Sequence, residues 1–153
     1  MLNTAYLALG SNIGDRQFYL DESIRLLGDH DDTEIMAVST YFNNPAVAPT
    51  YQPDYLNAAI EVRTLISLRD LFELTLVVEK KLGRESKGTR DPRTIDLDIL
   101  FFNDAIVSDD DLVVPHPLMH DRSFVLKPLV ELVPHFVHPL LNQTIEELYE
   151  NLG

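Results

Sequence analysis

The chain has 153 residues, 45% apolar and 24% charged, with twelve basic and 25 acidic side chains, a net charge of −13 and no cysteine. That size and balance suit one folded domain with its own core, not a disordered or collagen-like chain. Without cysteine there can be no disulfide scaffold, zinc–thiolate site or thiol nucleophile, and the negative charge opposes nucleic acid and anionic lipid over most of the surface.

The N-terminus has no basic start or long apolar run, and no stretch approaches the roughly 18 apolar residues of a membrane span. A cytoplasmic protein without membrane or nucleic-acid partners, taken as a monomer, is expected. Residues 4 to 10, with Tyr6, Leu7, Ala8 and Leu9, predict a first strand that runs into a Gly-Ser-Asn-Ile-Gly turn. Asp15 then caps a helix whose stripe is Leu20, Ile24 and Leu27 and whose stop is Gly28. Residues 35 to 42 are rich in β-formers and predict a second strand. A segment with Pro45, Pro49 and Pro53 leads to a third strand over residues 55 to 64, where Leu56, Ala58, Ile60 and Val62 share a face.

Ser67, with Asp70 three residues on, resembles a capping box for a second helix whose stripe is Leu68, Leu71, Phe72, Thr75 and Leu82 and which ends at Gly83. After a polar loop, residues 94 to 102 predict a fourth strand, which Asn103-Asp104 turns into a hairpin partner over residues 105 to 108. Two short helices follow, one starting near Asp121 and one capped by Thr144 with Glu147. The order β-α-β-β-α-β is the split βαβ pattern of the ferredoxin-like α+β class, here with an added hairpin strand and C-terminal helices, and residues 1–153 read as a single domain. That class hosts RNA binders, metabolite sensors and enzymes, so function has to come from the site.

Period two puts Ile95, Leu97, Ile99 and Phe101 on one face of the fourth strand and Asp96 and Asp98 together on the other. Adjacent carboxylates repel unless a cation lies between them, and magnesium suits a site of one or two carboxylates completed by water and phosphate. A solvated strand face balanced by arginines is the alternative. Lys80, Lys81, Arg84, Lys87, Arg90 and Arg93 place half of the chain's cations within fourteen residues. Arg84, Lys87, Arg90 and Arg93 lie on a loop able to close over a metal-held polyphosphate. Lys80 and Lys81 are also explained by a helix C-terminus.

The Gly10 to Gly14 turn lacks the Gly-Lys-Ser/Thr ending of a phosphate loop and reads as structural. His116 and His120 are spaced for metal ligation on a helix, but Pro115 and Pro117 oppose that, leaving His116 as a phosphate contact. His30, His135 and His138 are assigned to surface or packing.

Four segments then carry a resemblance: Ala-Tyr-Leu-Ala-Leu-Gly-Ser-Asn at 5 to 12, Gln-Pro-Asp-Tyr-Leu-Asn at 52 to 57, Pro-Arg-Thr-Ile-Asp-Leu-Asp-Ile-Leu at 92 to 100, and Val-Pro-His-Pro at 114 to 117 with Arg122 and Phe124. Across nearly its whole length the chain resembles the 6-hydroxymethyl-7,8-dihydropterin pyrophosphokinase family of folate biosynthesis. The resemblance implies a ferredoxin-like fold and pyrophosphoryl transfer from ATP to a reduced hydroxymethyl pterin, with release of AMP. It further implies two magnesium ions bound with ATP on Asp96 and Asp98, and Arg84, Lys87, Arg93, His116 and Arg122 on the triphosphate, Arg84 and Arg93 acting in catalysis. Glu79 and the backbone near Ile99 would lie by the nucleotide. The pterin would lie near Asn44, Pro45, Val47 and Tyr55, hydrogen-bonded by Asn57 and stacked on Phe124.

The chain departs from the family pattern in a loop one residue shorter, with Arg90 and Asp91 for an aromatic and a glycine and Ser86 for an arginine, and in Phe42 and Asn44 for a tyrosine and a threonine. The rival readings are a non-catalytic metabolite-binding module and a metal-dependent phosphohydrolase using Asp96, Asp98, His116 and His120.

Overall fold

The structure is a computed structural model, and it describes residues 1–45, 53–83 and 94–152. Strand β1 (Asn3–Ser11) alternates Leu7 and Leu9 toward one face and Tyr6 and Ala8 toward the other. Helix α1 (Arg16–Gly28) begins where the Asp15 carboxylate accepts the Phe18 N–H at 3.1 Å, so a local cap sets its start. Strands β2 (Thr33–Val38), β3 (Phe42–Asn44) and β4 (Tyr55–Thr64) follow. Helix α2 (Leu68–Lys81) starts where the Ser67 hydroxyl accepts the Asp70 N–H, and its last turn carries the exposed Lys80 and Lys81, favourably placed at the negative end of the helix. Strands β5 (Asp96–Phe102), β6 (Val107–Ser108) and β7 (Val113–Val114), a 3-10 turn at Met119–Asp121, and helices α3 (Ser123–Leu132) and α4 (Ile145–Glu150) complete the chain.

The main sheet runs β2-β4-β1-β5 with every pair antiparallel, and β3 also pairs with β4. This is the ferredoxin-like α+β arrangement, because the central strands β4 and β1 are separated in sequence by the first helix and the β2–β3 segment. Two apolar layers hold it. Leu20 and Leu27 of α1 and Leu71 and Val78 of α2 pack on Leu7, Leu9, Ile60 and Val62. On the opposite face, Leu126 and Leu129 of α3 and Ile145 and Leu148 of α4 pack on Tyr6, Leu100 and Phe101. Each such side chain contributes about 1.5–3 kcal/mol on full burial, so losing either layer would unfold the sheet.

The structure corrects several sequence expectations. The second strand is two: β2 ends at Val38 and β3 begins at Phe42, both pairing with β4. Gly28 is the last helical residue and not a left-handed stop; its missing side chain lets the helix end approach β2, since a Cβ there would stand 3.3 Å from Ile35 Cγ1. Residues 105 to 108 do not form a hairpin strand on β5. Instead Val107–Ser108 pairs with Val113–Val114 in a separate two-stranded ribbon. The helix expected to start near Asp121 is α3, which begins at Ser123, with the 3-10 turn at Met119–Asp121 just before it. Phe101 shares the face of the two aspartates, not that of Ile99, because a bulge between the Ile99–Leu7 and Phe101–Tyr6 pairs inserts Leu100 and reverses the alternation.

Candidate active site

Register places the candidate residues in one row across four strands. Phe42 of β3 pairs with Asn57 of β4, Asn57 with Gly10 of β1, and Gly10 with Asp96 of β5. The next row is Ala59, Ala8 and Asp98. Directly paired residues share a face, so Asn57 and both aspartates look out from the same side of the sheet, over a central strand that offers only the glycine and the alanine. The result is a trough with an amide on one wall and two carboxylates on the other. With strands about 4.8 Å apart, its walls are separated by roughly 10 Å of backbone.

Gly10 was read from the sequence as the last residue of the first strand and the start of a structural turn; it lies inside β1, which runs on to Ser11, and forms the floor of this trough. A Cβ there would meet Asn57 Nδ2 at 3.0 Å and Tyr55 Cδ1 at 3.5 Å. The signal was present in the alternation of Ala8 and Gly10 on one face, but its meaning depends on what the neighbouring strands carry. Asn57 is buried, and its Oδ1 is a buried acceptor with no hydrogen-bond partner among the described residues. An orphaned buried carbonyl costs about 1–3 kcal/mol, which a ligand donor would recover. Asn44 pairs with Tyr55, bringing those two candidates together at the sheet edge, with Pro45 next in the chain.

The second wall is held from behind. Glu79 of α2 is 3% exposed, and its Oε2 accepts the Leu97 N–H at 2.7 Å. That amide lies between Asp96 and Asp98 on an edge strand, so a buried carboxylate holds the backbone between the pair. Ile99 is buried in the opposite layer. The bulge has a further consequence: the Leu100 carbonyl accepts the His116 N–H at 3.2 Å, which ties the segment carrying His116 to β5. His116 Nδ1 accepts the Leu118 N–H at 3.3 Å. His120 instead lies 3.6 Å from the Asp121 carboxylate and edge-on to His138.

Arg122 occupies the N-cap position of α3 with its guanidinium carbon 5.6 Å from the centre of the Phe124 ring, a stacked cation. One helical turn on, the Lys127 ammonium sits 4.7 Å from the centre of the Phe42 ring, tying α3 to the row that contains Asn57. Arg84, Lys87, Arg93 and Val47 lie outside the described residues.

Among the described residues no group of three or more histidines, acids or cysteines could hold a metal. The half-exposed carboxylate pair matches what magnesium takes from protein when phosphate supplies the rest.

Two carboxylates facing the buried Asn57 amide, whose Oδ1 has no partner among the described residues, stand on one face of a ferredoxin-like sheet. A family profile described as 7,8-dihydro-6-hydroxymethylpterin-pyrophosphokinase matches residues 6–134. The chain belongs to that family. It is 44% identical over 132 residues to 2-amino-4-hydroxy-6-hydroxymethyldihydropteridine pyrophosphokinase of Bacillus subtilis, covering 86% of this chain and 79% of the relative. The Aquifex aeolicus protein of the same name is 35% identical over 144 residues, with 94% and 89% covered. The chain also matches Bifunctional protein FolKE of Lactococcus lactis subsp. cremoris at 44% identity, with 86% of this chain covered but only 38% of that longer protein. Among solved structures, Plasmodium falciparum HPPK-DHPS with pterin and p-hydroxybenzoate superposes with a TM-score of 0.78 at 16% identity, covering 99% of this chain and 42% of that one, a likeness of fold. No helix among the described residues is long and apolar enough to cross a membrane.

Proposed function

We propose that this chain, as one pyrophosphokinase domain over residues 1–153, transfers the β,γ-pyrophosphoryl group of ATP to the hydroxymethyl oxygen of 6-hydroxymethyl-7,8-dihydropterin. The pterin oxygen forms a bond to the β-phosphorus, the bond from that phosphorus to the α-phosphate oxygen breaks, AMP leaves, and the hydroxyl proton passes to solvent. The observation that carries this reading is the row Asn57–Gly10–Asp96: an amide suited to a heterocycle edge and a carboxylate suited to metal-held phosphate, on either side of a glycine.

In this reading Asn57 Oδ1 accepts from the pterin's donor edge, Tyr55, Asn44, Pro45 and Val47 border the ring, and Phe124 stacks on its face. Asp96 and Asp98 would hold two magnesium ions, which supply charge neutralisation for the phosphates when bound. His116, Arg122, Arg84, Lys87 and Arg93 contact the triphosphate, Arg84 and Arg93 stabilising charge as AMP departs, and Glu79 with the backbone near Ile99 borders the nucleotide. The protein acts in the cytoplasm as a monomer.

The test follows ATP, ADP and AMP by chromatography with magnesium, with and without the pterin, and weighs the pterin product. Stoichiometric AMP with a pterin diphosphate is expected. ADP with a pterin monophosphate would make the chain an ordinary kinase, and pterin-independent phosphate release would make it a hydrolase.

A further inference from the structure

A polar latch lies behind the acceptor wall, on the face opposite the trough. Arg16, the first residue of α1, donates from one nitrogen, Nη1, to Asn43 Oδ1 at 2.8 Å and to the Asp54 carbonyl at 2.9 Å. Asn43 Nδ2 in turn donates to Asp54 Oδ2 at 3.0 Å, and Asn12 Nδ2 reaches the Pro53 carbonyl at 3.4 Å. These groups line an open cavity of about 480 Å³ with Ile13 and Gly14. The start of α1, the strand β3 and the entry to β4 are joined at one guanidinium.

β3 needs such a tie. It is three residues long and hangs on β4 outside the main strand path, so its backbone pairing alone specifies register weakly. Its register nonetheless decides what faces the trough: Phe42 stands opposite Asn57 and Asn44 opposite Tyr55, while Asn43 points to the other face. A slip by one residue would exchange those faces and carry Asn44 away from the site. Arg16 grips the middle residue of β3 and the residue before β4 together, which is where a slip would have to begin.

We propose that Arg16 is a positioning residue that sets the acceptor half of the site by locking β3 in register on β4; the proposal rests on the pyrophosphokinase reading. Arg16 bonds Asn43 and Asp54 on the face opposite the trough, so in this proposal it sets affinity for the pterin without entering the chemistry. The experiment first assays the wild-type chain for pterin diphosphate and AMP, then compares Arg16→Ala, Arg16→Lys, Asn43→Ala and the double Arg16→Ala/Asn43→Ala variant. Losing one coupled polar network is expected to raise the pterin KM by about five- to twentyfold, with kcat and the ATP KM within about twofold of wild type. Arg16→Lys, which keeps a donor, recovers part of the loss, and the double variant is no worse than Arg16→Ala. Hydrogen exchange should quicken at residues 42–44 and 55–57 and stay unchanged in β1 and β5.

A wild-type pterin KM in Arg16→Ala overturns the proposal, as does a parallel rise in both KM values with exchange quickened across the whole sheet. If the wild-type chain makes no pterin diphosphate, the activity reading fails, and hydrogen exchange alone then decides whether the latch sets register.

Discussion

Two kinds of residue make the trough, those that act and those that keep out of the way. Asp96 and Asp98 project from the face opposite the α1/α2 layer and are half-exposed, so removing either carboxylate takes nothing from the core. Asp96→Ala and Asp98→Ala are each expected to lower AMP formation by about 10²-fold or more, as the loss of a preorganised charge site does, while far-ultraviolet circular dichroism stays that of wild type. Turnover near wild type with magnesium as the only metal would remove the metal assignment. Gly10 acts by absence. A Cβ 3.0 Å from Asn57 Nδ2 is tighter than nearly all such contacts, so Asn57 would have to shift, and overpacking of this kind costs about 1–3 kcal/mol; Gly10→Ala is therefore expected to raise the pterin KM about ten- to hundredfold while ATP binding survives. Equal pterin KM values would mean that Asn57 moves without loss. The shared face of Asp96 and Asp98 was legible in the sequence from period-two alternation, whereas Asn57 entered through the family resemblance. Gly10 and the Glu79–Leu97 contact were not assigned these places, because each depends on which residue of a distant element lies opposite.

The segment from Val137 to α4 shows how an element is held by one side chain. His138 is 3% exposed, and its Nδ1 accepts the N–H groups of both Leu140 and Leu141 at 3.1 Å. The Val137–Thr144 bridge closes the turn, and the Thr144–Glu147 capping box starts α4, whose Ile145 and Leu148 complete the second apolar layer. Burial, and secondarily the His120 ring beside it, holds the His138 imidazole below the ordinary histidine range of about 6.5. The neutral form is thus favoured in the fold, and the unfolded chain binds the proton more readily. The stabilisation is complete above about pH 6.5 and is lost as the pH falls below it toward the depressed folded value. Thermal unfolding of wild type should therefore drop between pH 7 and 5.5 more than that of His138→Asn, which keeps an acceptor and cannot titrate; parallel curves would refute this. Thr144→Ala is expected to cost about 1 kcal/mol, the loss of a cap, and to lower Tm by about 2–4 °C. A Tm unchanged by Thr144→Ala would show that packing alone holds α4. Caps at Asp15, Ser67 and Thr144 were readable because they depend on residues three apart. The β5 bulge and the β6–β7 ribbon were not, since both are decided by pairings between distant residues and leave the local pattern almost unchanged.

At the scale of the whole molecule the charges are sorted. Residues 80 to 93 hold six cations against two acids, a net +4, which leaves −17 on the rest of a chain whose total is −13. Outside that segment the only cations are Arg16, Arg25, Arg63, Arg69, Arg122 and Lys127. Several are already committed: Arg25 to Glu22 and Asp29, Arg69 to Asp109 and Asp111, Arg16 to the β3 latch. The remaining acids therefore repel one another across a body that is compact when folded and expanded when not, so repulsion opposes the fold. Screening relieves it: the Debye length shortens from about 30 Å at 0.01 M salt to about 8 Å at 0.15 M. Exposed pairs such as Arg69–Asp111 lose strength in the same range, but each is worth only about 0–1 kcal/mol and they are few against the excess of acids. Repulsion wins, and Tm measured without nucleotide or magnesium is expected to rise by a few degrees, about 2–4 °C for each kcal/mol relieved, as sodium chloride increases from 0.01 to 0.15 M. Choline chloride should give the same rise, because screening does not distinguish monovalent cations. A Tm that stays flat or falls would show that the opposite charges are already paired well enough to outweigh the excess, and a rise with sodium alone would point to a bound ion.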